Sequence, residues 1–388
     1  SVVALAVVGA IFGLPPILAM MGKRINKGPV RKSAMTPKDD GRWADTARFV
    51  MRRPVPIVLL SLIALGIMAA PLQNISFSQG DSRMLPASNP AAIATAIQTE
   101  RFPGQTGTPI EIITFDGADK VDTLNEYANR ISQVPGIVGV VPPQVIGEDV
   151  RIVAYQSMLP RTPESQKLIH DLRDVKAPTG TLIGGVAADY TDSQDGISRT
   201  LPWAFGWIAI SVLLLVFVFT GSIILPIKAV LLNVLSLAAT MGVLTWVFID
   251  GNLQWLVGSF TVTGSLDTSI VILIAVVVFG LSMDYELFLL SRIREEHLEG
   301  RSNVESVATG LQRSARIITA AAVLLAVVFA AFVTSGVTSI KTMGFGVALA
   351  VLLDATLIRA LLVPALMRLM GERNWWAPKS LQRFTLKH

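Results

Sequence analysis

No cysteine occurs in the 388 residues, which excludes disulfides, thiolate nucleophiles and Cys-ligated zinc. The three histidines, His170, His297 and His388, are scattered along the chain and suggest no metal cluster. A phosphate-binding Walker loop is missing too: Gly22-Lys23 lacks the Gly five residues earlier and the Ser/Thr that should follow. No cofactor is therefore expected, and no enzymatic chemistry. Charge is also scarce, at 16% of residues, where a soluble domain carries about 25%. What fills the chain is apolar: 52% of residues are hydrophobic and the mean hydropathy is +0.56. The formal charge of +5 raises a nucleic-acid question only if the positive groups share one accessible face.

Crossing a bilayer takes roughly 20 apolar residues at helical rise. Seven runs qualify or come close: Ser1 to Met20, Val55 to Pro71, Trp203 to Thr220, Pro226 to Ile249, Ser269 to Ser291, Ile317 to Val333 and Thr342 to Met367. The first begins without a Met or a basic leader, so it reads as the end of a span and the chain as a fragment.

The basic residues decide the orientation. Residues 21–53 hold ten Lys or Arg against three Asp; residues 292–316 and the tail from Arg368 hold five basic residues each. The loop from Asp250 to Asp267 has none, and residues 73–200 hold ten basic against fifteen acidic groups. These segments alternate along the chain. They sum to −7 on one face of the membrane and +12 on the other. The modest net charge thus hides a topology signal, and the nucleic-acid question is withdrawn. Trp203, Trp207, Trp246 and Trp255 fall near the acidic side and Trp375 and Trp376 near the basic one, as interfacial belts.

The long insert at 73–200 reads as a helix at 90–101, then strand 109–115, helix 120–133, strands 136–141 and 149–156, helix 163–174 and strand 180–185. The order β-α-β-β-α-β is that of the ferredoxin-like unit. The expected fold is an α-helical transmembrane bundle with one extracytoplasmic α+β domain of that type.

Carboxylates near a bilayer centre cost about 2.5–3.5 kcal/mol each and need a reason. Asp284 lies eight residues before Arg292, roughly 12 Å inside the membrane at helical rise. Gly280, one turn away, would admit a close neighbour, so Asp284 is expected to face a bundle interior. Asp354 lies mid-span in the last helix with Arg359 five residues on. At α-helical spacing they diverge by about 140°, so each is expected to find its partner on another helix. Glu286, nearer the basic end, is expected to reach water. Static hydrogen bonds between helices and a proton or ion pathway both fit this spacing.

The stretch Gly280-Leu-Ser-Met-Asp284-Tyr285-Glu-Leu-Phe288-Leu-Leu-Ser-Arg292-Ile-Arg294-Glu-Glu296 resembles the signature of MMPL-type transporters of the RND (resistance–nodulation–division) superfamily. Phe102-Pro-Gly-Gln-Thr-Gly-Thr-Pro109 is similar to that family's motif before the first strand of its external domain. Val351-Leu-Leu-Asp354-Ala-Thr-Leu-Ile-Arg359 through Val363-Pro364-Ala365-Leu366 is similar to its last span. The resemblance implies two like halves in a complete member, of which this chain matches the end of the first and all of the second. It implies a proton relay at Asp284 and Tyr285, lined by Phe288 and coupled to Asp354 and Arg359. Partners would be protons, membrane lipids, a lipid or amphiphilic substrate, and the missing first half.

The expected organisation is a helix end at 1–20, a basic cytoplasmic linker at 21–53, a transmembrane helix at 54–72 and a porter domain at 73–200. A five-helix bundle at 201–367, with a cytoplasmic surface helix at 292–313, and a basic cytoplasmic tail at 368–388 complete it. The function expected is proton-driven export of lipids or other amphiphiles across the inner membrane. The alternatives are a membrane scaffold or sensor that binds a lipid or partner through the outer domain, and an inactive half-transporter.

Overall fold

The computed structural model describes residues 2–22, 24, 41–102 and 108–378. Most of the basic linker, the centre of the 102–109 motif and the end of the tail lie outside them.

Among the described residues, six helices are long and apolar enough to cross a membrane: Pro54–Asn74, Val186–Thr220, Ile224–Ile249, Thr268–Leu298, Asn303–Phe332 and Thr338–Trp375. They correspond to the last six of the seven runs. The first run forms α1 (Val2–Val8), a π-helical turn and α2 (Leu14–Met21). Its helix at Gly9–Met21 is shorter than a span, and no residue of its π turn or α2 is buried.

Within the linker, α3 (Arg42–Arg52) is a folded element rather than a connector. Ala44, Ala47, Val50 and Met51 recur at helical spacing and are buried. The amides of Trp43 and Ala44 both donate to Gln312 Oε1 at 3.1 Å, which fixes the helix start against the bundle. The first long span is α4 (Pro54–Ala69), extended by a 3₁₀ turn to Asn74. It leads to the two-residue strand β1 (Phe77–Ser78) and to α5 (Pro90–Arg101), whose start is capped by Asn89.

The α/β domain follows in the expected order: β2 (Ile110–Thr114), α6 (Val121–Ser132), β3 (Ile137–Ile146), β4 (Asp149–Gln156), α7 (Pro163–Asp174) and β5 (Thr181–Gly184). Its sheet is antiparallel with strand order β3-β4-β2-β5. In register, Ile112 pairs with Ile152 on one side and Ile183 on the other. One face of β2 and β4 presents Ile110, Ile112, Val150, Ile152 and Ala154 to the helices. Leu124, Tyr127 and Ile131 on α6 and Leu168 and Leu172 on α7 pack onto it at spacings of three and four residues.

The domain is not separated from the bundle by a linker. The helix α8 (Val186–Thr220) runs unbroken for 35 residues, through Pro202, so the expected boundary at residue 200 falls inside it. Then come α9 (Ile224–Leu244), the single turn α10 (Gln254–Val257), the short strand β6 (Leu266–Asp267) and α11 (Thr268–Leu298). α12 (Asn303–Phe332) and α13 (Thr338–Leu353) complete the long helices, and the last span continues as a π-helix over Asp354–Leu362 into α14 (Val363–Met370).

The expected surface helix at 292–313 is not one helix. Gly300, at φ +89°, breaks the chain between α11 and α12, and Ser302 caps α12 by accepting from the Glu305 amide. Such a cap satisfies a backbone donor that the helix start leaves free. Its expected apolar face is not offered to a membrane surface: Ile293, Val307, Ala308 and Leu311 are buried in the bundle core. Close helix approach depends on glycine at Gly242, where an added Cβ would run into the Met68 carbonyl oxygen of α4.

Candidate functional site

The helix α11 has two unlike faces. Ile274, Val278, Ser282, Glu286, Leu289, Ile293 and Glu296 are buried at helical spacing. Gly280 and Asp284 lie on the opposite, exposed side. Within this chain the interior face of α11 is taken by Ser282 and Glu286, so a bundle that Asp284 faces is not formed by the described residues. An added Cβ at Gly280 meets nothing within 4 Å, so the close neighbour expected there is not supplied by this chain's described residues. Asp284 instead lines an apolar groove of about 380 Å³ between α8 and α11, with Phe205, Val212, Leu215, Phe279 and Met283 around it.

Tyr285 sits about 100° round the helix from Asp284 and turns toward the core. Its ring lies 5.1 Å from the Arg359 guanidinium carbon, within cation–π range. Phe288, one turn beyond Asp284, is half-buried and lies 5.7 Å from the Arg292 guanidinium carbon. The five expected residues therefore fall into two groups: Asp284 stands on the open face, while Tyr285, Asp354 and Arg359 meet inside. Phe288 lies between them and the far end of the bundle.

Asp354 and Arg359 form a direct ion pair, contrary to the expectation from spacing. The reason is local: Asp354–Leu362 is a π-helix, which bonds residue i to i+5 and so stacks residues five apart. The expected partner on another helix exists as well. Ser282 Oγ donates to Asp354 Oδ1 at 2.8 Å, and Arg359 Nη2 donates to the Ser282 carbonyl at 2.6 Å. Both charged residues are buried, and Arg359 Nε and Nη1 have no hydrogen-bond partner among the described residues.

A second buried pair of charges stands beside the first. Lys228 on α9 is 6% exposed and Glu286 on α11 is 3% exposed, so Glu286 does not reach water as expected. Neither forms an ion pair within 4.0 Å among the described residues, and Lys228 Nζ and Glu286 Oε1 both lack a hydrogen-bond partner. With Asp354 and Arg359, they make a polar chamber of four buried ionisable side chains, two basic and two acidic, inside the bundle. The sequence held one signal for it: Lys228 is a lone cation within an apolar run, and such a residue calls for a buried counter-charge. Among the described residues, no group of His, Asp and Glu could hold a metal ion. His297 is half-buried and stacks on Trp375 at 4.3 Å.

A multi-pass membrane protein with ionisable groups buried inside its helical bundle is the class that this fold and site define. The family model described as "MMPL family" matches residues 83–385. The chain belongs to the MMPL family, and it is a multi-pass protein of the inner (plasma) membrane. A putative membrane protein of Streptomyces coelicolor is 37% identical over 385 residues, 99% of this chain and 53% of its own length. The trehalose monomycolate exporter MmpL3 of Mycobacterium tuberculosis is 34% identical over 88% of this chain and 38% of its own. The mycolic acid-containing lipids exporter MmpL11 of Mycolicibacterium smegmatis is 33% identical over 98% of this chain and 42% of its own. The chain thus spans about half, or less, of the length of the curated relatives it matches.

Proposed function

We propose that this chain is the second half of a proton-motive-force-driven exporter of lipids or other amphiphiles, with Asp284 and Tyr285 in its proton relay. The observation that carries this reading is that Asp284, at membrane depth on α11, is exposed and lines an apolar groove. A carboxylate left against lipid costs about 2.5–3.5 kcal/mol on insertion scales, and a covering protein surface removes that cost. The first half, in the same or a separate chain, is the proposed cover, supported by relatives about twice as long. Asp284 then takes up and releases a proton at the junction of the halves. Tyr285 links it to the chamber of Asp354, Arg359, Lys228 and Glu286, and Phe288 lines the path.

Protonation of Asp284 removes a charge from a low-dielectric junction, which shifts the balance between two packings of the halves. The domain at 73–200 is read as a ferredoxin-like porter domain on the extracytoplasmic side. Its strand order supports the fold, and the −7 against +12 separation supports the side. By that orientation, residues 21–53 and 368–388 are cytoplasmic. The substrate class rests on relatives named as exporters of trehalose monomycolate and of mycolic acid-containing lipids.

The test supplies the first half and compares wild type with Asp284→Asn. Assembly should be intact, while export and the proton flux tied to it should fall by roughly two orders of magnitude, the range of a lost proton-transfer group. Export at the wild-type rate would overturn the relay, and no export by wild type with the first half supplied would favour a scaffold or sensor.

A further inference from the structure

The short segment Ser76–Gly80, between the first long span and the α/β domain, is bound on three sides. Toward α11, its strand β1 pairs in parallel with β6, Phe77 opposite Leu266 and Ser78 opposite Asp267. The Leu266 amide donates to Ser76 O at 2.8 Å, and Thr268 Oγ1 lies 3.1 Å from Ser78 O. Toward α8, Tyr190 Oη donates to Phe77 O at 3.0 Å. Toward the α/β domain, Arg161, just before α7, donates to Gly80 O at 3.0 Å.

Asp267 is the knot of this arrangement. Its Oδ1 accepts from the amides of Ser269 and Ile270 and so caps α11, the helix that carries Asp284. Its Oδ2 accepts from the Gly80 amide at 3.0 Å. One carboxylate therefore holds the start of α11 and the strap together. An added Cβ at position 80 would meet Asp267 Oδ2 at 2.7 Å, so a larger residue there must displace that carboxylate.

We infer that Asp267 is a positioning residue that locks the strap Ser76–Gly80 to α11, so that the α/β domain moves with that helix as one mechanical unit. Domains joined by modest interfaces move relative to one another by default, and a hydrogen-bonded strand pair with a shared helix cap opposes that motion. What drives α11 rests on the proton-coupled reading above; the lock itself does not.

The chain has no cysteine, so two introduced thiols in it are unique. Spin labels at Asp171→Cys on α7 and Trp255→Cys on α10, both exposed, report the distance between domain and bundle in the full transporter. The expected wild-type distribution is narrow, and Asp267→Ala broadens it about twofold, as loss of a fixed domain interface would. Gly80→Val is the second variant: it leaves the Asp267 side chain in place as a helix cap but forces it off the strap, and the same broadening is expected. Helix content and the thermal midpoint should stay near wild type in both. A width unchanged in both variants, or one already broad in the wild type, overturns the lock. Asp284→Asn in the same labelled background reports on the relay separately: its export can match wild type, sinking the relay, while the widths still report the lock.

Discussion

Asp354 and Arg359 show how much a single residue's meaning depends on local backbone geometry. Five residues apart on an α-helix they diverge; on the π-helix of Asp354–Leu362 they meet. Removing one member of a buried pair leaves an unpaired charge and costs about 3–5 kcal/mol, whereas an apolar replacement of both is often close to neutral. Asp354→Asn and Arg359→Met should therefore each lower the thermal midpoint of the purified protein more than the double variant does. Additive losses would mean that the pair is not coupled. The Lys228–Glu286 pair differs: both residues are buried, yet Lys228 Nζ and Glu286 Oε1 have no hydrogen-bond partner among the described residues. Nothing in the periodicity of either helix foretold it, since Lys228 and Glu286 are remote in sequence and meet only through the packing of α9 on α11.

Individual elements were largely legible from alternation and spacing. The helices at Pro90–Arg101 and Pro163–Asp174 and the strand at Asp149–Gln156 have the boundaries their sequences imply. The misreadings share a cause: helices that pass through a membrane surface do not end where hydropathy ends. α8 begins in the domain and finishes in the bundle, and α11 and α12 extend beyond the apolar layer to form the hairpin taken for a surface helix. In the sheet, Glu111 on β2 and Arg151 on β4 are diagonal neighbours joined at 2.7 and 2.8 Å. Bonding to Arg151 holds the Glu111 carboxyl below its usual value of 4.5. A depressed carboxylate contributes stability above its unfolded pKa that is lost as pH falls through the folded one. Protection factors of the β2 and β4 amides, corrected for the intrinsic pH dependence of exchange, should therefore fall from pH 6 to pH 3 in wild type, with a smaller fall in Glu111→Gln. The pair is solvent-screened, so the difference should be small. Equal acid sensitivity of the two proteins would remove the pair from the account.

For the whole molecule, the exposed side of α8 and α11 is the feature that most limits what this chain does alone. Gly280 has empty space before it here, yet on the proposed arrangement it faces the first half. Gly280→Leu should leave the fold and melting of this chain unchanged and reduce its co-purification with the first half at least about tenfold, or 1.4 kcal/mol, as overpacking of a tight interface costs. Undiminished co-purification would place the first half on another face. The sequence by itself determined the spans, the charge asymmetry, the β-α-β-β-α-β order and the family, because each is written in composition, local periodicity or contiguous motif. Only the tertiary structure decided which face of α11 is interior, that Asp354 and Arg359 pair, that Lys228 and Glu286 share their chamber, and that Asp267 ties α11 to the strap. Those facts depend on which helices neighbour one another and on one local change of helical pitch, and neither is carried by spacing along a single helix.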